Sequence, residues 1–340
     1  MTAIASTSVL RKVVLPVLLF LISCIYFSRL SVSTYRSQTT NPLEPPYRLY
    51  NSTHGRLPST KYAIATFLTS DNTDPNYFTA TRILTYQFLH APTTKFNATT
   101  DISFLVCCTS TVPESQKAQL KKDGATVVEV TDVPTSWWIS TGVTRWRDQF
   151  TKLRLFQMEE YSRILFIDAD TMIMSDISPI FLDPEVAHTI APLLSRKTQI
   201  KKDEADLPAE WMFAARSDNA LTGEREHAVP PLQTQVFSAG FWMARPDGVM
   251  FEYLMSVTRH WRRFDPHTME QSLLNYAFRR EGAMPWRELN WKWSATWPSE
   301  ADASNGVVTL HEKWWRTGPN VLKAEWQKRR RDMERFFEER

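Results

Sequence analysis

Asp168 and Asp170 stand one residue apart, directly after the apolar run Ile164–Ile167. A short unbroken apolar run reads as a strand buried on both faces. The two acids then fall at its C-terminal end, where open α/β sheets place their ligands. Two carboxylates so close together can share a hard divalent cation. A cation held there can in turn hold a diphosphate.

The rest of the composition narrows how a phosphate is bound. Glycine is scarce, 9 in 340 residues, and neither G-x-G-x-x-G nor G-x-x-x-x-G-K-[ST] occurs. Metal and side chains must therefore do what a glycine-rich cradle does elsewhere. The formal net charge of +3 is too small to point to nucleic acid. The basic cluster Lys328–Arg331 reads as a solvated helix face. Three cysteines exclude a disulfide scaffold, and no Cys/His zinc spacing is present. Cys107 and Cys108 close an apolar run and read as small core residues, with a strained vicinal disulfide as the rival.

The N-terminus has the character of a targeting segment. Val13–Phe27 is mostly apolar and follows Arg11 and Lys12. As a helix it spans about 22 Å, short of a hydrocarbon core of about 30 Å. It reads as a signal anchor with residues 1–12 cytosolic, a cleaved signal peptide being the alternative. The sequons at Asn51 and Asn97 agree with a lumenal body. Residues 28–60 read as a flexible stem rich in Ser, Thr and Pro. The expected location is the Golgi membrane, single-pass type II.

From Lys61 onward strands alternate with helical segments, which implies a mainly parallel sheet flanked by helices. Strands are expected at Tyr62–Leu68, Ile102–Cys108, Thr126–Val130 and Gln235–Met243, with a short last one at Gly306–Leu310. Helices are expected at Tyr77–Leu89, Glu114–Lys122, Asp148–Tyr161, Val249–Trp261, His267–Arg279 and Asn320–Arg340. Val186–Pro192 can return to the sheet. Ser195–Pro231, polar and poor in β-branched residues, reads as an insertion or lid. Seven of the 13 tryptophans lie between Trp286 and Trp326, which suits stacking on sugar rings.

Five blocks in this order resemble glycosyltransferase family 8, which includes glycogenin and the galactinol synthases. They are Tyr62–Asp71, Phe150–Phe156 with its F-x-K-L pattern, the D-x-D block Phe166–Thr171, Phe237–Met243, and the helix Glu270–Asn275. The resemblance covers Lys61 to Pro319. It implies a single catalytic domain of the GT-A fold over residues 61–319, with residues 320–340 a separate charged helix. It also implies a UDP-sugar donor, Mn²⁺, and retention at the anomeric carbon. Asp168, Asp170 and His311 are then the metal ligands. Thr66, Leu68, Asp71 and Tyr77 bind uridine. Asp168, Ala169, Ser238, Ala239 and Gly240 line the donor site, and Lys152 reaches the diphosphate and donor sugar. Where the family usually has Asp and Asn, this chain has Glu270 and Ser238. After the metal histidine the familiar glycine and Lys-Pro-Trp are replaced, so Lys313 or Arg316 serves as the phosphate cation.

The chemistry this implies is transfer from a good leaving group, whose negative charge grows as the glycosidic bond breaks. Lys152, Glu270 and Gln271 are the catalytic candidates. Glu270 and Gln271 position the donor and stabilise an oxocarbenium-like centre, with Glu270 as covalent nucleophile the alternative. The acceptor is a glycan or glycoprotein, and the first donor is UDP-N-acetylglucosamine. Two other classes compete. A haloacid-dehalogenase-like phosphatase also uses D-x-D, but wants Thr or Val where this chain has Met172. A decayed lumenal nucleotide- or glycan-binding protein on the same fold is the non-enzyme reading.

Overall fold

The computed structural model describes residues 47–49, 62–69, 74–96, 101–139 and 144–340, all within the unit Pro46–Arg340. In chain order the strands begin with β1 (Tyr47–Leu49), β2 (Tyr62–Leu68), β3 (Ile102–Cys108), β4 (Thr126–Val130), β5 (Arg163–Ile167) and β6 (Thr171–Ile173). They continue with β7 (Phe213–Ser217), β8 (Phe237–Ala244), β9 (Arg287–Glu288), β10 (Ser294–Thr296) and β11 (Thr309–His311). The helices are α1 (Asn76–Leu89), α2 (Glu114–Lys122), α3 (Gly248–Thr258), α4 (Glu270–Ala277), α5 (Glu300–Ser304) and α6 (Asn320–Glu338).

The main sheet has the order β1-β4-β3-β2-β5-β8-β7-β9. Strands β4, β3, β2 and β5 run parallel, as the alternation of strands and helices dictates. At β5 the direction reverses, because β8 lies antiparallel beside it. This switch is where a cleft opens beyond the strand ends. Successive residues of β5 serve opposite faces. Ile164 and Phe166 join one core cluster, Leu165 and Ile167 the other. Phe213 stacks on Phe278 at 4.0 Å, and Trp242 lies over Phe166 and Phe156. Each such burial contributes about 1.5–3 kcal/mol. A smaller sheet, β10-β11-β6, stands beside the switch.

Several expectations need correction. Ser195–Pro231 contains β7, a fully buried inner strand of the main sheet. Its Phe-Ala-Ala-Arg-Ser sequence lacks β-branched residues, so the partners on both sides, not propensity, make it a strand. Val186–Pro192 contributes only an isolated bridge from Ile190 to Trp211. The segment before β5 is wound as a 3-10 helix over Thr144–Gln157. His267–Arg279 is broken at Met269, whose φ of 51° admits no helix, so α4 starts at Glu270. The tryptophan-rich stretch supplies β9 and β10, and Trp286, Trp314 and Trp326 are buried in the core. Arg329, in the basic cluster of α6, turns inward and donates to Gln87 Oε1 at 2.9 Å. Cys107 and Cys108 are free and buried, and burial pushes the Cys108 thiol up to about 12.

The expectation of a Golgi membrane protein with a type II anchor is also corrected. Among the described residues no helix is long and apolar enough to cross a membrane. Within the stem expected over 28–60, Tyr47–Leu49 is β1, paired antiparallel with β4, so that part belongs to the main sheet. Val13–Phe27, the rest of 28–60, both sequons and Asp71 lie outside the described residues.

Candidate active site

The cluster at the sheet switch is built by two strand pairings. Asp168 follows β5 and extends its ladder, its backbone N–H donating to the Gly240 carbonyl of β8 at 2.9 Å. Asp170 then leads into β6, which pairs antiparallel with β11 so that Thr171 faces His311. The chain thereby sets His311 beside both acids. Its Nε2 lies 3.0 Å from Asp170 Oδ1 and 3.8 Å from Asp168 Oδ2. One ligand atom from each of the three residues lies within 4.8 Å of the others. Gly240 makes this approach feasible. A Cβ there would fall 2.7 Å from His311 Nδ1 and 2.8 Å from Asp168 Oδ2.

The other oxygen of Asp168 faces away from His311. Oδ1 accepts a hydrogen bond from Lys152 Nζ at 2.9 Å, and the same ammonium donates to Glu270 Oε1 at 2.9 Å. Lys152 is held by the 3-10 helix before β5, Glu270 by the first turn of α4. Burial opposes the charge on Lys152, but the Asp168 and Glu270 carboxylates outweigh it and hold the pKa above that of an ordinary lysine. Burial likewise works against Asp168, yet Lys152, then His311, pull it below the usual carboxylate range. For Glu270 burial wins and the pKa is raised despite Lys152. Burial disfavours protonated His311, but Asp170 and Asp168 reverse this and raise its pKa to about 9. With these side chains alone, the pair of acids already draws a positive charge to the imidazole. Two carboxylates and an imidazole are a fitting donor set for a divalent cation.

Helix α4 is clamped to β8 below the cluster. Gln271 Oε1 accepts from the Ala239 N–H at 2.9 Å. Asn275 accepts from the Phe237 N–H and donates to the Phe237 carbonyl, both at 3.0 Å. The cluster opens into a cleft of about 400 Å³, a volume typical of small-molecule sites. Its lining includes Leu68, Tyr77, Lys152, Ala169, Ser238, Ala239, Gly240, Glu270, Gln271 and Lys313 with the three cluster residues. Thr66 is the exception, being wholly buried in β2 and absent from the lining. Lys313 faces the cleft, whereas Arg316 is exposed and pairs with Asp74 at 3.4 Å. Tyr77 packs edge-on against Trp315 at 5.1 Å. None of the seven tryptophans from Trp286 to Trp326 lines the cleft.

Sequence reasoning passed over Phe67, Thr69, Gln149, His267, Thr268 and Met269, which also line it. Phe67 and Thr69 lie inside the block Tyr62–Asp71, and Gln149 and His267–Met269 within three residues of a recognised block, so proximity to the blocks was the available signal.

The profile of Glycosyl transferase family 8 matches residues 72–313. The chain belongs to this family. An uncharacterized protein of Schizosaccharomyces pombe is 30% identical over 297 residues, covering 78% of each chain. Galactinol synthase 1 of Ajuga reptans is 24% identical over 171 residues, 49% of this chain and 48% of that protein. Among solved structures, an active-site mutant of LgtC aligns with a TM-score of 0.50 at 13% identity, over 78% of this chain and 94% of that one. The family 8 chain is thus a glycosyltransferase of the GT-A fold, with its mainly parallel sheet and flanking helices.

Proposed function

We propose that this glycosyltransferase moves a sugar from a UDP-sugar, UDP-N-acetylglucosamine first, to a glycan or glycoprotein acceptor with retention. The convergence of Asp168, Asp170 and His311 at one end of the cleft carries this reading. These three would hold the cation, Mn²⁺ suiting an oxygen-rich set with one imidazole. When bound, such a cation supplies charge stabilisation to a departing diphosphate. Leu68 and Tyr77 offer the wall for uridine, and Lys313, a cation of the cleft lining, can meet a phosphate oxygen. Lys152 is already engaged by two carboxylates, so its part is to fix Asp168 and Glu270 rather than to travel to the diphosphate. Glu270 then presents a buried carboxylate beside the donor sugar, able to stabilise positive charge at the anomeric carbon. Gln271, pinned to Ala239, sets the position of that carboxylate. The acceptor oxygen bonds to the anomeric carbon as the bond to UDP breaks, and a phosphate oxygen takes the hydroxyl proton.

The test is a panel of UDP-sugars incubated with the purified protein and Mn²⁺, with UDP release and the anomeric configuration of the product read by NMR. One UDP-sugar should turn over, EDTA should stop it, and Mn²⁺ should restore it. Turnover unaffected by EDTA, or an inverted product, would reject the reading.

A further inference from the structure

Lys313 has both of its backbone groups tied. Its N–H donates to Glu312 Oε1 at 3.1 Å. Its carbonyl accepts from the N–H groups of Arg316 and Thr317, at 2.7 and 2.9 Å. The Thr317 hydroxyl donates to the same Glu312 oxygen at 2.7 Å. One carboxylate oxygen therefore closes the turn that carries Lys313. With N–H and carbonyl both held, the direction in which the side chain leaves the backbone is set. That direction is the cleft, which Lys313 lines, and its positive charge is felt at Asp168 of the metal cluster.

The other oxygen of Glu312 is gripped from elsewhere in the chain. Oε2 accepts from Arg225 Nη2 at 2.7 Å, and both side chains are little exposed. Arg225 belongs to the connection from β7 to β8, 87 residues away in sequence. Its own place is fixed. Nη1 donates to the Pro298 carbonyl at 2.9 Å, and the guanidinium lies over the Trp297 ring, 5.0 Å from its centre. Trp297 in turn donates its N–H to the His311 carbonyl at 3.3 Å. Two residues beyond Arg225, His227 Nε2 stands 3.3 Å from Asp302 Oδ2, with both side chains buried. The connection is thus fastened at two points to the segment after β10, and Arg225 carries that hold to Glu312. An exposed pair of flexible ions holds little in place. Here the planar guanidinium serves a carbonyl and a carboxylate at once, and the carboxylate is pinned at its second oxygen too.

We propose that Arg225 and Glu312 are a positioning pair that aims the Lys313 ammonium at the diphosphate of the donor. This rests on the UDP-sugar reading of the cleft. Neither residue of the pair lines the cleft, so both act through Lys313. A ligand with a diphosphate should feel the pair, and a nucleoside without phosphate should not.

The experiment uses the full chain and its Arg225→Ala, Arg225→Lys, Glu312→Ala and Lys313→Ala variants, with a double variant carrying alanine at Arg225 and Lys313. UDP binding with saturating Mn²⁺ is measured by calorimetry, and uridine binding by saturation-transfer NMR. Lys313→Ala should weaken UDP about tenfold or more, the scale of one charge-assisted hydrogen bond. Arg225→Ala and Glu312→Ala should each weaken it about threefold to tenfold, and Arg225→Lys should recover part of the loss. Uridine should bind all variants alike. Once Lys313 is alanine, Arg225→Ala should have no further effect, which a general loosening of the fold would not reproduce. UDP affinity unchanged by Arg225→Ala, an undiminished effect in the absence of Lys313, or a parallel loss of uridine overturns the pair. Native protein that binds no UDP defeats the donor reading instead. The pair is then judged on the methyl NMR signal of reductively methylated Lys313, assigned with Lys313→Arg. A signal displaced by Arg225→Ala and by Glu312→Ala upholds the positioning, and one that stays in place overturns it.

Discussion

Asp168 divides its two oxygens between tasks. Oδ1 takes the Lys152 ammonium and Oδ2 turns to the His311 side. Asp170 has a single direction, toward the imidazole. Asp170→Asn keeps size and hydrogen bonding but removes a negative charge. Several kcal/mol of lost charge stabilisation corresponds to a fall of about 100-fold or more in turnover. The Mn²⁺ needed for half-maximal rate should rise, with an unchanged circular dichroism spectrum. Gly240 gives a sharper test, because it carries no chemistry. Gly240→Ala places a methyl group against His311 and Asp168, and those residues must separate. Mn²⁺ affinity measured by EPR should drop at least about tenfold while the protein stays folded. Unchanged affinity would show that the three side chains do not act together. The D-x-D pair was plain in the sequence because it abuts an apolar run. The role of Lys152 was only half legible, since nothing local shows that two carboxylates already hold its ammonium.

At the scale of elements, α4 and β8 act as one part. Asn275 occupies both backbone groups of Phe237, and Gln271 takes the Ala239 N–H. Asn275→Ala leaves a buried N–H and C=O without their partners. That costs about 1–3 kcal/mol, to be read as a lower urea midpoint. Transfer should fall with it, since Ser238, Ala239 and Gly240 follow directly. An unchanged midpoint would mean water replaces the amide at no cost. The elements that sequence fixes well are those with local causes. β2, β3, α2 and β4 match their expected bounds because apolar runs and helical charge patterns define them. β7 was hidden because alanine and arginine are poor strand formers, and only β8 and β9 on its flanks hold it in the sheet. The break at Met269 was hidden too, because the apolar spacing runs straight through it.

For the whole molecule, the support of the cluster reaches the far end of the chain. Met172 of β6 and Leu310 of β11 stand next to the D-x-D block and to His311. Both are buried with Leu322, Trp326 and Met333 of α6. The helix also lies on α1, with Tyr86 and Phe336 rings 5.3 Å apart and Arg329 bonded to Gln87 and to the Ile173 carbonyl. The amphipathic pattern announced the helix, but not what it covers, because Met172, Ile173, Tyr86 and Gln87 lie about 150 to 250 residues earlier in the chain. Removing residues 320–340 would take away three buried side chains, Leu322, Trp326 and Met333, and uncover the core they seal, at about 1.5–3 kcal/mol each. The sum, roughly 5–9 kcal/mol, rivals the whole stability of an ordinary domain. A protein truncated after Pro319 should therefore lack a cooperative urea transition. The milder Trp326→Ala should keep one but lower stability by about 3–5 kcal/mol, and with it the Mn²⁺ affinity. A truncated protein that unfolds cooperatively at the native midpoint would show that α6 is an appendage. In that case β6 and β11 hold His311 against Asp170 without its help.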